Sequence, residues 1–165
     1  MNDEIQKLQS IIDEEINGYE NIEKLYIDKK EILMHGKGTD LYEIDSKIID
    51  TYKNITNLSE ARKEVTKSMD IPTFSITDII NKVKSQDEIA AKNFEAKKAK
   101  VNELAHKIFE LEKVNMDLTK HGMYLTGKTI EAMLKGVSSA NKEYNQKGQN
   151  IAKEQLEMSS IVEEA

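Results

Sequence analysis

Apolar residues in this chain recur every three or four positions for some thirty residues at a time, and the pattern stops cleanly only twice. Such spacing restricts the chain to long helices packed along their lengths. In residues 3–34, Ile5, Leu8, Ile12, Glu15, Tyr19, Ile22, Tyr26, Lys29 and Leu33 alternate at three and four, a heptad seam with two polar interruptions. Ile11, Ile16, Leu25 and Ile32 widen the stripe, so this face meets more than one partner helix. Gly36-Lys37-Gly38 ends the pattern, since glycine readily adopts the conformations that close a helix. Asp40 with Glu43 then forms a capping box for a second helix over 40–69. Its seam is Leu41, Ile44, Ile48, Thr51, Ile55, Leu58, Arg62, Val65 and Met69. Two helices of similar length joined by a short glycine turn fold back as an antiparallel hairpin.

Asp70-Ile71-Pro72 is the second stop, because proline cannot continue a helix interior. Ser75, with Asp78 three residues on, caps a short connecting helix over 76–83. Ser85 with Glu88 forms a second capping box, opening a long helix over 86–137. The seam of that helix runs through Phe94, Val101, Leu104, Ile108, Leu111, Asn115, Leu118, Gly122 and Leu125. Gly122, Gly127 and Gly136 weaken it and predict bending or fraying. Residues 138–165 are mostly polar. Ile151, Met158 and Val162 share a helix face, but their apolar area is too small to order the segment alone. The expected architecture is therefore all-α. A long, coiled-coil-like antiparallel hairpin carries a short connecting helix and a third long helix packed on it. Residues 1–137 form one helical domain and 138–165 a flexible tail.

Composition agrees with this and narrows the function. Charged residues are 33% of the chain and aromatics 5%, which suits a thin helical seam better than a thick mixed core. The net charge of −6 lies wholly in residues 1–71, which hold 16 acidic and 10 basic residues; residues 72–165 hold 14 of each. An acidic half does not suit nucleic acid or anionic lipid. The chain has no cysteine, which excludes disulfides, thiolate metal sites and a cysteine nucleophile. No stretch approaches the roughly 18 apolar residues that span a bilayer, and MNDEIQKL lacks the pattern of a signal peptide. The cytoplasm is the expected compartment.

Catalytic constellations are not apparent. Glu103-x-x-His106 matches one element of di-iron bundles, but neither His35 nor His121 supplies a second copy, and His106 falls outside the seam. No phosphate loop, nucleophile elbow or dinucleotide fingerprint is present. The expectation is a protein that is not an enzyme, with no metal and no cofactor. Asn115, at a seam position, reads as a register-fixing polar residue or a contact where the hairpin ends. The stripe Met116, Met123, Ile130, Met133, Leu134 and Val137 is the suggestive feature. Methionine-rich surfaces repack around varied partners. Because the third helix outruns the hairpin, the part after Gly127 is expected to be exposed and to bind, and the part before Gly122 to pack into the core.

The order of elements resembles a known family. After the hairpin come Asp70-Ile71-Pro72 and Phe74-Ser75-Ile76-Thr77-Asp78-Ile79-Ile80. A long helix follows through Leu111, Asn115, Leu118 and Leu125, then Tyr144-Asn145-Gln146-Lys147-Gly148. Over residues 2–150 this resembles the FlgN-like flagellar export chaperones; beyond Gly148 the chain is longer and more charged than the family pattern. The resemblance implies a chaperone that captures the disordered terminal segment of hook-associated (hook–filament junction) subunits. It would prevent their premature assembly and deliver them to the flagellar type III export apparatus. It makes Met123, Ile130, Met133, Leu134 and Val137 the candidates for subunit binding, and Tyr144 and Gly148 the candidates for docking on the export gate. A monomer or a weak homodimer fits this reading. The competing expectation is a self-associating structural coiled coil, with its seam saturated and no chaperone activity.

Overall fold

A computed structural model of the protein describes residues 2–144, and side chains as far as Val137. Four helices follow in order: α1 Asn2–His35, α2 Gly38–Ser68, α3 Ile76–Lys84 and α4 Glu88–Tyr144, with no strand among the described residues. The fold is all-α, as expected. Two compact units divide the chain, the first Met1–Lys120 and the second beginning at His121.

Within the first unit, α1 and α2 run antiparallel. Polar residues in and beside their seams find each other across the hairpin. Glu15 meets Arg62 at 3.4 Å, and Lys29 meets Asp45 at 2.7 Å. Asn21 donates to Thr51 at 3.4 Å between them. Each step up one helix is thus a step down the other. Gly18 lies level with Ile55: a Cβ on Gly18 would stand 2.7 Å from Ile55 Cγ1. Glycine there lets the two backbones approach over a bulky partner.

The stretch Glu88–Lys120 of α4 runs parallel to α1. Lys97 reaches Asp13, Lys100 reaches Glu20 at 3.2 Å, and Lys107 reaches Glu23 at 3.9 Å. Two apolar clusters result. One joins Ile5, Leu8 and Ile12 to Val65, Met69, Ile79, Val83 and Phe94, and so includes α3 as its lid. The other joins Ile22, Leu25 and Tyr26 to Ile44, Ile48, Ile55 and Ile108. Ile79 and Val83 are wholly buried, each contributing about 1.5–3 kcal/mol by leaving water.

The turns refine the sequence reading. α2 begins at Gly38, with Lys37 as its cap; Asp40 sits in the first turn and accepts from the Lys37 N–H at 3.3 Å, while Glu43 pairs with Lys47 instead. The cap is therefore not Asp40, because the glycine turn is short enough for the helix to restart two residues earlier. α2 closes with the Asp70 N–H on the Lys67 carbonyl and the Ile71 N–H on the Thr66 carbonyl, a Schellman arrangement. Asp70 takes the left-handed position at φ 53. Ser75 caps α3 by accepting from the Asp78 N–H at 3.1 Å, as expected. Asp87, not Ser85, caps α4, accepting from the Ala90 N–H at 2.9 Å. Ser85 is instead the C-cap of α3, its hydroxyl donating to the Lys82 carbonyl.

α4 passes Gly122, Gly127 and Gly136 without interruption and continues to Tyr144, beyond the expected stop at 137. No glycine or proline occurs between Gly136 and Gly148 to end it. The remainder of the expected tail, from 145, lies outside the described residues.

Candidate partner-binding surface

α4 carries two kinds of face. In the first unit its inward residues are covered: Leu104, Ile108 and Asn115 are buried, and Val101, Leu111 and Leu118 are half-buried. Asn115 is 3% exposed and donates through Nδ2 to the Tyr26 carbonyl at 2.9 Å. Its Oδ1 has no partner among the described residues. This side chain ties α4 to one level of α1 through a backbone group, so the register it fixes is that of α4 against the hairpin. Tyr26 itself is buried there, and burial together with a hydrogen bond to Tyr52 pushes its phenol well above the ordinary value.

From Thr119 to Val137 every residue is exposed. Met123 is 71% exposed, Ile130 41%, Met133 67%, Leu134 44% and Val137 56%. Their spacings of seven, three, one and three place all five on one side of the helix, within an arc of about 100°. A face about 21 Å long follows from the helical rise. On the far side, Glu131 bridges Lys128 at 3.0 Å and Lys135 at 2.6 Å. The two lysines hold its carboxyl down to about 2. Lys128 also lies over the Tyr124 ring at 5.9 Å. The stretch is thus amphipathic in its own right, with its apolar side in water.

Met116, expected in the core, is 51% exposed, and Leu125, expected in the seam, is 50% exposed. Met116 belongs to the same seven-residue ladder as Met123 and Ile130, which lies to one flank of the seam rather than in it. The sequence reading missed Phe109, 61% exposed. It stands seven residues before Met116, and extending the ladder backwards would have found it. Tyr144 is the last described residue of α4, its side chain undescribed, and Gly148 lies outside the described residues.

The Phe74–Ile80 segment does structural work. Phe74 stacks against the Arg62 guanidinium at 5.8 Å, Ser75 caps α3, and Ile79 and Ile80 fill the first cluster. Among the described residues, no three His, Asp or Glu side chains are grouped to hold a metal ion, and no helix is long and apolar enough to cross a membrane. No curated protein and no solved structure matches the chain. A family model does, over residues 1–151, and the chain belongs to the FlgN protein family of flagellar export chaperones.

Proposed function

We propose that this chaperone acts in the cytoplasm, that it binds hook-associated (hook–filament junction) subunits through their disordered terminal segments, and that the receiving surface is the α4 face of Met123, Ile130, Met133, Leu134 and Val137. The observation that carries the reading is the exposure of every residue of that face on a helix whose preceding turns are packed. Contiguous apolar surface left in water on a folded chain usually marks an interaction site. An amphipathic segment that folds on binding can lay its apolar side along such a helix. The ordering it undergoes costs several kcal/mol, about 2–5, which keeps affinity moderate and release feasible. Holding the segment in this way blocks assembly until export. Tyr144 and Gly148 are proposed to dock on the export apparatus.

Titration calorimetry against the C-terminal segments of hook-associated subunits tests the reading. The expected result is a saturable 1:1 isotherm with a negative heat-capacity change, the mark of apolar burial. Met133→Asp with Leu134→Asp should abolish binding and leave helicity intact; loss of the fold instead would assign these residues to the core. Tyr144→Ala should leave subunit affinity unchanged and impair export, and equal loss of both would sink the separation into two sites. The seven-residue spacing also favours a second reading, a scaffold pairing copies of itself through this face. No heat from a folded chain, with light scattering showing a defined oligomer, would establish that reading instead.

A further inference from the structure

A second apolar surface lies within the first unit, on the flank where α2 and α4 face each other. Ile49 is 54% exposed, Tyr52 37%, Phe109 61% and Met116 51%. The first two are one turn apart on α2, and the other two stand one turn before and one turn after Glu112 on α4. Burial first, then a hydrogen bond to Tyr52, then the charges of Glu112 and Asp45 raise the Tyr26 phenol. Side chains of α2 and α4 therefore meet around one hydroxyl, with the four exposed residues beside it. Ile49 and Tyr52 also wall a shallow depression of about 360 Å³ with Lys53, Thr56 and Asn57. The chain has six tyrosines and three phenylalanines. Four of these aromatics, Tyr19, Tyr26, Tyr52 and Phe109, gather here, and such concentration is characteristic of protein interfaces. Charge narrows the partner. Asp45 is held by Lys29 and Asp50 by Lys53, but Glu112 has no ion-pair partner among the described residues. A carboxylate amid aromatic and apolar side chains suits a cation, which gains a charge-assisted hydrogen bond and attraction to the ring faces. Residues 1–120 hold 24 acidic against 19 basic residues, a net of −5, which steers basic partners inward.

We propose that this flank is a second docking surface, made of other residues than the α4 face after His121, and that it takes an amphipathic helix of a partner protein with an arginine among its apolar residues. The partner helix lies lengthwise along α2 and α4, as in other helix-in-groove recognition. Its apolar side chains cover Ile49, Tyr52, Phe109 and Met116, and its guanidinium reaches Glu112 and stacks on the neighbouring rings. A second copy of this chain is the poorer occupant, because two surfaces of the same net negative charge would face each other. The surface does not depend on the subunit-binding reading, since none of its residues belongs to that face.

Fluorescence anisotropy on the full chain tests this with two labelled probes. One is a short helical peptide with leucines along one face and a single arginine among them; the other carries citrulline, the neutral isostere, in place of the arginine. The arginine peptide should bind in the micromolar range, weaken with added salt, and exceed the citrulline peptide by about tenfold. Glu112→Gln should remove that tenfold advantage and leave the citrulline peptide unaffected. Phe109→Asp should abolish binding of both, with helicity and thermal midpoint retained because Phe109 is exposed. Met133→Asp with Leu134→Asp should change neither. Equal affinity of the two peptides for the parent chain, or no binding of either, would overturn the proposal. Loss of binding on Met133→Asp with Leu134→Asp would also overturn it, by assigning the peptide to the α4 face proposed for subunits. Arginine-selective binding from a chain that gives no heat with hook-associated segments would keep this surface and remove the subunit reading.

Discussion

Leu104 and Ile108 lie on the same helix as Met123 and Ile130, about twenty residues apart, and are of the same chemical kind. The first pair is buried, at 0% and 7% exposure; the second stands at 71% and 41%. Helical periodicity is present in both stretches, so periodicity alone does not decide burial. What differs is the neighbour. Along Glu88–Lys120, α4 meets α1 through ion pairs at Lys97, Lys100 and Lys107 and through the Asn115 bond, and an apolar cluster lies behind those contacts. Along His121–Val137 the polar contacts are local, Glu131 to Lys128 and Lys135, and Thr126 and Thr129 to carbonyls one turn back. A helix whose polar groups are satisfied within itself can be held straight while its apolar face stays available. The first stretch is packed and the second is the proposed recognition surface, so the two should answer differently to substitution.

The largest effect is expected at Glu15 and Arg62. Both are nearly covered, and Glu15 Oε1 and Arg62 Nε lack partners among the described residues. Burial pushes the Glu15 carboxyl above its ordinary value, and Arg62 pulls it part of the way back. Arg62→Leu leaves the carboxylate buried alone, which should cost about 3–5 kcal/mol at neutral pH. The sign of the pH dependence follows. A carboxyl with a raised pKa in the fold holds its proton more tightly there than when unfolded, so acidification favours the fold. The deficit relative to the parent should be complete above the raised pKa and shrink as pH falls toward the ordinary value of 4.5. Urea midpoints at pH 7 and pH 4.5 measure it. Adding Glu15→Leu should recover most of the loss, and a deficit independent of pH would mean that Arg62 acts through packing on Phe74 alone.

A smaller effect separates two glycines. Gly18→Ala gains helix propensity but sets a Cβ 2.7 Å from Ile55 Cγ1 and 3.1 Å from its Cδ1. Overpacking of this kind costs about 1–3 kcal/mol, against a propensity gain of about 1 kcal/mol. A net loss in thermal midpoint is expected, and Ile55→Val should relieve part of it. If Gly18→Ala instead stabilises the chain, the hairpin is looser at this level than its contacts imply.

The helices were legible in the sequence because they follow from periodicity, and so were the polar interruptions of their seams, but the pairing of those interruptions was not, because it depends on how the two helices are staggered. Glu15 and Lys29 stood out on α1 and Arg62 lay in the α2 seam; Glu15 meets Arg62, while Lys29 meets Asp45, which lies outside the seam. The caps were less legible. Ser85 and Asp87 are both good capping residues, and the choice depends on where α3 releases its last carbonyls, which local sequence does not fix: the Gln86 and Asp87 N–H groups are still bonded to the Val83 carbonyl. The glycines of α4 were overread, since one glycine costs about 1 kcal/mol, which a run of helix formers absorbs. The exposed ladder was legible as a stripe, but its extent was not, because Phe109 and Met116 border a seam whose true partners only the packing reveals.

Gly127→Ala is the smallest and most discriminating change. A Cβ there meets nothing within 4 Å, so propensity acts without a packing penalty. The gain of up to about 1 kcal/mol should stay local if His121–Val137 is a unit of its own. Amide exchange across 121–137 should then slow by up to about fivefold, while the thermal midpoint of the first unit is unchanged. Subunit affinity should rise slightly, because less of the face remains to be ordered on binding. A shift of several degrees in the global midpoint would instead make the stretch part of one cooperative fold, and the contrast between the two halves of α4 would then be one of solvent exposure without a difference in stability.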